Sequence, residues 1–296
     1  MNPWRAGARE CVKSLWKVLR DLLPARLHVQ LDHLRRHGRL PRIDAPETFS
    51  EKIAYRKLCE RDERLPALID KIEVKETMRA RFGGGFVIPT LAVFRSEREI
   101  DFAALPYPCA IKASHASGTN LFLRAEPPDK KAALRTLRGY LQYRHERSSE
   151  ERAYAQVRPR LLVEPLLENA EHGLVDYKFH TFSGRVYAIQ VDVDRFTRHR
   201  RNFYSPKWER MPFGVLYPQA SFDVKPPARL EEMLKIASRI GEDFSYVRVD
   251  LYEYGEEVKF GELTFTPGAG LEPFDPPEFD RRFGEQWKLP RELAAQ

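Results

Sequence analysis

Cysteine is scarce in this chain. There are three, Cys11, Cys59 and Cys109, far apart and without a CxxC pair. That spacing argues against a disulfide framework or a zinc site and fits a reducing cytoplasm. Long apolar runs are missing too, since none reaches the roughly 18 residues that a membrane span needs. The apolar positions near the N-terminus are broken by Arg and Lys, so no signal peptide is expected. No GxxxxGK[ST] stretch occurs, so a P-loop is unsupported, and neither HExxH nor GxSxG is present. Internal repeats and low-complexity tracts are absent as well.

What is present is a globular composition. Of 296 residues, 42% are hydrophobic, enough to bury a substantial core in one large domain or two smaller lobes. The net charge of +7 is unevenly placed: residues 1–40 hold nine Lys/Arg against three Asp/Glu, so six of the seven net charges lie there. Leu15, Val18, Leu19, Leu22 and Leu23 recur at helical spacing among Lys13, Lys17 and Arg20. Such an arm either lies on an anionic membrane surface or another polyanion, or packs on the body. Nucleic acid is not an expected partner.

Two helices separated near Pro24 are expected over residues 10–37. Thr48-Phe49-Ser50-Glu51 reads as a capping box that opens a helix to about Cys59. A helix over 67–82 should end at the glycines 83–85. After Pro89, strands are expected at 91–94, 109–112 and 120–123, then a helix over 130–143. The charge-dense connector RHERSSEERAYAQVRPR (144–160) is the expected mobile segment. Strands resume at 161–165, 176–182 and 185–193, the last two joined by a Ser183-Gly184 turn. A helix over 228–240 and strands over 246–252 and 258–265 follow. Helices first, then mostly antiparallel strands with interspersed helices, make an α+β chain.

The last two strands carry the clearest chemistry. Val247, Val249 and Leu251 alternate with Arg248, Asp250 and Tyr252, while Gly261, Leu263 and Phe265 alternate with Glu262 and Thr264. Putting the odd-numbered residues of both strands on one core face sets Asp250 opposite Glu262 and Arg248 opposite Thr264. Opposed carboxylates on one sheet face sit about 5 Å apart at Cβ and repel unless a cation lies between them. Arg248 is adjacent and could serve, and pairing with Lys or Arg is the ordinary outcome. Magnesium is the better fit, because it favours carboxylate oxygens and keeps phosphate and water as its other ligands.

Other stretches suit an anionic ligand. CAIKASHASGTNLFL puts Lys112 at the end of an apolar strand, followed by a Ser/Gly-rich turn whose amides can meet phosphate oxygens. His115 in that turn reads as a hydrogen-bonding loop residue rather than a metal ligand. In DYKFHTF, Lys178 points the same way as Asp176, either as a surface pair or as part of a site. DVDRFTRHRRNFY gathers Asp192, Asp194, Arg195, His199, Arg201 and Asn202, either a substrate site or a solvated loop.

In this order the motifs resemble the ATP-grasp superfamily, and closely its TupA-like (teichuronopeptide biosynthesis) amidoligase branch. PETFSEKIAYRKL, LIDKIEVKETM, IPTLAVF, CAIKASHASG, VDYKFHTFSG, IQVDVDRFTRHRRNFY, VRVDLY and FGELTFTPGAG carry the likeness, from about residue 46 to 290. It implies two lobes of antiparallel sheet with ATP between them: after the basic helical arm (1–45), which lies outside the likeness, come a helical region (46–105), a nucleotide-binding lid lobe (106–168) and a C-terminal lobe with the metal site (169–296). It implies that Lys71 and Lys112 contact the nucleotide, and that Ser114, His115, Ser117 and Gly118 form a phosphate lid. Glu164, Leu166 and Leu167 are similar to the hinge that meets adenine and ribose, and Lys178 to the basic residue after it. Asp250, Glu262 and Thr264 match magnesium ligands, and Arg248 matches the residue that steadies the transferred phosphoryl group. Thr264 stands where many relatives have Asn, and Ala116 where glycine is common, which should stiffen the lid.

The activity so implied is ATP-dependent amide formation between a carboxylate and an amine, through an acylphosphate. The implied setting is cytoplasmic surface-polysaccharide synthesis, with a uronic acid or similar carboxylate as substrate, and the basic arm is expected to hold the protein near the inner membrane face. Neither step needs a nucleophilic side chain, which agrees with the lack of a Ser-His or Cys-His motif. Two alternatives stand beside it: a kinase acting on a sugar or polyol hydroxyl, and a non-catalytic polyanion- or membrane-binding protein.

Overall fold

The structure, a computed structural model, describes residues 23–167, 175–193 and 199–290. The first arm helix, with Leu15, Val18, Leu19 and Leu22, falls outside them. The second is present as α1 (Ala25–His37), which ends at Gly38 in the left-handed region (φ 71°). It buries His28, Val29 and His33, so this part of the arm packs on the body. Thr48 caps α2 (Phe49–Cys59) through the expected reciprocal box with Glu51.

The helix expected over 67–82 is two, α3 (Leu65–Ile69) and α4 (Glu73–Phe82). Asp70 makes the break, because its carboxylate accepts the N–H of Ile72 at 2.8 Å. Aspartate competes in this way with helical hydrogen bonding. Lys71 therefore sits on a turn.

A four-stranded sheet follows, in the order β1-β4-β2-β3: β1 (Ala92–Phe94), β2 (Cys109–Ala113), β3 (Asn120–Leu123) and β4 (Leu161–Pro165). It recruits β1 from before residue 106. One face packs on α5 (Lys130–Gln142), with Ile111, Ala113, Leu161 and Val163 against Leu137. The connector after α5 forms helical turns, including α6 (His145–Ser149). It is anchored where Glu151 accepts from the Thr266 hydroxyl and where Glu150 meets His28 at 2.6 Å. The expectation of a loosely held segment missed these long-range partners.

The second sheet has five antiparallel strands in the order β10-β9-β5-β6-β7. They are β5 (Asp176–Phe182), β6 (Arg185–Val193), β7 (Arg200–Tyr204), β9 (Val247–Tyr254) and β10 (Glu257–Thr264). Phe179, Ile189, Val249 and Leu251 pack beneath α7 (Leu230–Gly241), through Met233, Ala237 and Ile240. The opposite face is divided. One end is aromatic, where Phe182, Phe203 and Tyr246 meet Phe49 of α2 and Phe283 of α8 (Glu278–Gln286). Gly284 lets α8 touch α2, since a Cβ there would come within 2.0 Å of the Glu47 carbonyl oxygen. The other end of this face is polar. A small pair, β8 (Gly214–Val215) with β11 (Phe274–Asp275), closes the aromatic end.

The β9–β10 register holds in part. Asp250 faces Glu262 and Arg248 faces Thr264, but beyond Gly261 the pairing slips, so that Phe260 faces Leu251. A bulge reverses parity, and the even-numbered Val258 and Phe260 join the odd-numbered Leu263 and Phe265 in the core. Glycine is needed at the bulge, because a Cβ at 261 would lie 2.9 Å from both the Asp250 carbonyl oxygen and the Tyr252 ring.

Candidate active site

Lys71 ties the helical region to the Ser/Gly-rich turn twice. Its backbone N–H donates to the Ser114 carbonyl at 3.1 Å, and its ammonium donates to the Ala116 carbonyl at 2.6 Å. The turn is pinned elsewhere as well. Ser114 donates from its backbone to Arg160 (2.9 Å) and from its hydroxyl to Arg158 (3.3 Å), and His115 donates to the Tyr143 carbonyl at 3.1 Å. Ser114, His115 and Ala116 are buried, and Ser117 and Gly118 are exposed. Among the described residues, the backbone N–H groups of 115–118 have no acceptor, which leaves a run of donors suited to oxyanions.

Lys112 leaves β2 and meets Glu164 of β4 at 2.6 Å. Glu164 also pairs with Lys75, a residue the sequence reading passed over. Lys71 and Lys75 lie one helical turn apart in DKIEVK, and that spacing was the available signal. Burial alone would raise the Glu164 carboxyl, but Lys112 and then Lys75 hold it below its usual value. Leu166 donates to the Pro108 carbonyl at 3.0 Å, and Leu167 follows it at the end of the described stretch 23–167.

The polar end of the five-stranded sheet supplies the acidic side. Arg248 donates to both oxygens of Asp250 at 2.7 Å, reaches Glu262 at 3.4 Å and reaches the Thr264 hydroxyl at 2.9 Å. Lys178, from β5, lies 3.2 Å from Asp250 and pairs with Asp176. Burial would raise the Asp250 carboxyl, yet Arg248 and Lys178 hold it low. Burial pulls the Lys178 ammonium down. The opposed carboxylates are thus charge-compensated by the neighbouring Arg and Lys. Glu262, whose side chain is 39% exposed, has room for a further cation, while both oxygens of the buried Asp250 are engaged. Among the described residues no three acidic, His or Cys side chains gather as a ready metal cluster.

The two groups of residues act together on Lys71. Burial draws its ammonium below the ordinary lysine value, Glu262 opposes that, and Lys112 and Glu164 act on it as well. Tyr154, brought in by the connector, is another residue missed from sequence. Burial, then Glu151 and Glu262, push its phenol well above the usual value.

A second network continues along β6 and β7. Asp192 accepts from Arg201 at 2.7 Å and lies 3.1 Å from His199. Arg201 also meets Glu272 at 2.8 Å. Burial would raise the Asp192 carboxyl, but Arg201 first, and Lys178 next, hold it well below. Gln190 donates to Asp192 at 3.1 Å and lies 3.4 Å from His180. His199 stacks on Tyr217. Asn202 is a correction: it points to the other face, accepting from Ala220 and donating to the Phe222 carbonyl, because it is one residue out of phase with Arg201. Asp194 and Arg195 lie outside the described residues.

Two antiparallel sheets with a cationic turn on one side and an acidic hairpin on the other now stand together. Residues 51–288 match the family described as TupA-like ATPgrasp. The chain belongs to that family. Its architecture is the α+β ATP-grasp fold. Solved structures it is similar to include D-alanine-D-alanine ligase from Helicobacter pylori (18% identity, TM-score 0.41, covering 75% of this chain and 61% of that one). Another is D-alanine--D-alanine ligase from Bacillus anthracis (14%, 0.42, 74% and 65%). A third is the ATP-grasp ligase PsnB complexed with minimal precursor (15%, 0.40, 70% and 55%). This chain therefore spans less than two thirds of the length of each. No curated protein sequence matches it. No described helix of this ATP-grasp protein is long and apolar enough to cross a membrane.

Proposed function

We propose that this protein is an ATP-dependent carboxylate–amine ligase. The observation that carries the reading is the bond from the Lys71 ammonium to the Ala116 carbonyl of the Lys112 turn, with the Glu262 carboxylate acting electrostatically on the same ammonium. A substrate carboxylate attacks the γ-phosphate of ATP, giving an acylphosphate and ADP. An amine then displaces inorganic phosphate and an amide forms. The work asked of the protein is positioning and charge neutralisation, which dominate phosphoryl transfer. Lys71, Lys112 and the amides of 115–118 neutralise phosphate oxygens. Arg248 turns from Asp250 towards the transferred group, which leaves Asp250 and Glu262, with the Thr264 hydroxyl, as the oxygen set for magnesium. Bound there, magnesium supplies a Lewis acid for the phosphates. Glu164, Leu166 and Leu167 take the hinge position, while Asp192, His199 and Arg201 face the acceptor.

We assign the acceptor to uronic acids or similar carboxylates of surface polysaccharide, in the cytoplasm. Residues 1–22 would supply any contact with the inner membrane face, and co-sedimentation with anionic vesicles tests that part. The test of the function is a mass-spectrometric screen of uronic acids against amines with ATP and magnesium. An amide product, with ADP and phosphate released only when both substrates are present, is expected. Phosphate retained on a hydroxyl of the substrate would make the protein a kinase instead.

A further inference from the structure

An arginine-lined cleft lies away from the polar sheet face. It is formed where the C-terminal end of α1 and the loop after it approach α8. Its volume is about 650 Å³, inside the range of roughly 300–1,000 Å³ typical of small-molecule sites. Arg36, Arg39, Arg42 and Arg281 line it, and no lysine does. Arginine offers a planar fork that matches carboxylate or phosphate in two bonds, which a lysine ammonium cannot do.

Two of these guanidiniums are held from below. Arg39 donates to Glu51 and, at 3.2 Å, to the Thr48 hydroxyl. Arg42 donates to Glu47 at 2.9 Å and reaches Glu51 at 3.5 Å. Glu51 is fully buried and already accepts the backbone N–H groups of Arg42, Glu47 and Thr48. It therefore acts as a fixed counter-charge beneath the cleft and does not compete at its mouth. Arg281 makes only loose, exposed contacts, 3.5 Å to Glu47 and 3.6 Å to Glu285, of a kind worth little. Arg36 is exposed and has no ion pair among the described residues. Glu278 and Asp280 also line the cleft, Asp280 buried beside Arg39 at 3.9 Å, so the arginines are in part compensated, and Arg36 and Arg281 are the two guanidiniums most open to an added anion.

The cleft also shares a wall with the polar network. Phe274 lines it and also lines a small hollow bounded by His180, Gln190 and Glu272. His37, at the rim, donates to the Gly270 carbonyl at 2.9 Å, on the loop that leaves the Glu262 strand.

We propose that this cleft binds the oxyanionic part of the acceptor, carboxylates or phosphates remote from the group that reacts. That the occupant is the acceptor rests on the ligase reading. That the cleft holds oxyanions does not. The shared chemistry has two sources, the carboxylates of an acidic oligosaccharide or the diphosphate of an activated or carrier-linked sugar.

Calorimetric titration of the full chain without ATP tests the proposal, using trigalacturonate, inorganic pyrophosphate and neutral maltotriose as probes. One of the two anions should bind, maltotriose should not, and Arg36→Glu with Arg281→Glu should weaken binding at least tenfold at an unchanged melting temperature. Trigalacturonate binding identifies the glycan source, and pyrophosphate binding the diphosphate source. Binding that survives the double reversal lies elsewhere, at the phosphate turn for example, and overturns the assignment, as does the failure of both anions to bind. Because no turnover is measured, a bound anion with no amide product would remove the ligase reading and leave the cleft standing.

Discussion

Asp250 stands opposite Glu262 across the β9–β10 pair, and the Arg248 guanidinium touches both. Arg248 and Lys178 supply positive charge to this pair. In the proposed reaction, nucleotide binding exchanges one set of counter-charges for another. Glu262, the more open of the two carboxylates, is where that exchange is tested most cleanly.

Glu262→Gln keeps the size and hydrogen-bonding shape of the side chain and removes its charge. Turnover should fall roughly 100-fold or more, the scale of losing a principal electrostatic stabiliser. Steady-state kinetics on the folded variant measure it, and near-normal turnover would remove Glu262 from the metal set.

The phosphate turn should respond to nucleotide in its exposed half only. The Ser114 N–H already donates to the Arg160 carbonyl, so its exchange is slow from the start, and His115 is buried with its ring held at Tyr143. Hydrogen exchange at Ser117 and Gly118 is expected to slow when a non-hydrolysable ATP analogue and magnesium bind. Unchanged exchange there at saturating nucleotide counts against a phosphate-binding turn.

Arg56 is a clamp under the aromatic cluster. It donates to the carbonyls of Tyr246 (2.9 Å) and Phe265 (3.0 Å) and lies 4.4 Å from the Trp287 ring centroid. Arg56→Met leaves those buried carbonyls without a donor, which should cost about 3 kcal/mol. Urea unfolding reads this directly, and a loss below about 0.5 kcal/mol would show that the clamp is replaceable.

His180 makes stability depend on pH. Burial, with Arg248 adding to it, lowers its imidazole from 6.5 to about 3. The unfolded chain therefore takes up the proton first as pH falls. The contribution is complete above pH 6.5 and is lost progressively down to about pH 3. At pH 5 the loss is about 2 kcal/mol. Melting temperatures between pH 7 and pH 5 should fall more steeply for the native chain than for His180→Gln, and parallel curves would contradict the assignment.

Where local rules act, the sequence was readable. The Thr48 box, the β5–β6 hairpin and the alternation that opposes Asp250 to Glu262 each depend on residues close in the chain or on one strand period. What was not readable depends on distant partners. The break at Asp70 is reinforced by Arg160, which reaches it from 90 residues away at 2.8 Å. The connector owes its order to Thr266 and His28. The bulge at Gly261 shows only once the Tyr252 ring is seen against it. Lys75 was hidden behind Lys71 because both fit the motif and only the fold decides that each meets the site.

The packing of α1 separates two kinds of boundary. Kinship in sequence starts at residue 51, after Thr48 has already capped α2 and after α1 has buried His28, Val29 and His33. A chain trimmed to the shared segment would lose the cap of its first helix, the Arg39 that neutralises Glu51, and the His37 bond to Gly270. The stretch that matches the family and the stretch that packs together thus begin at different places in this protein.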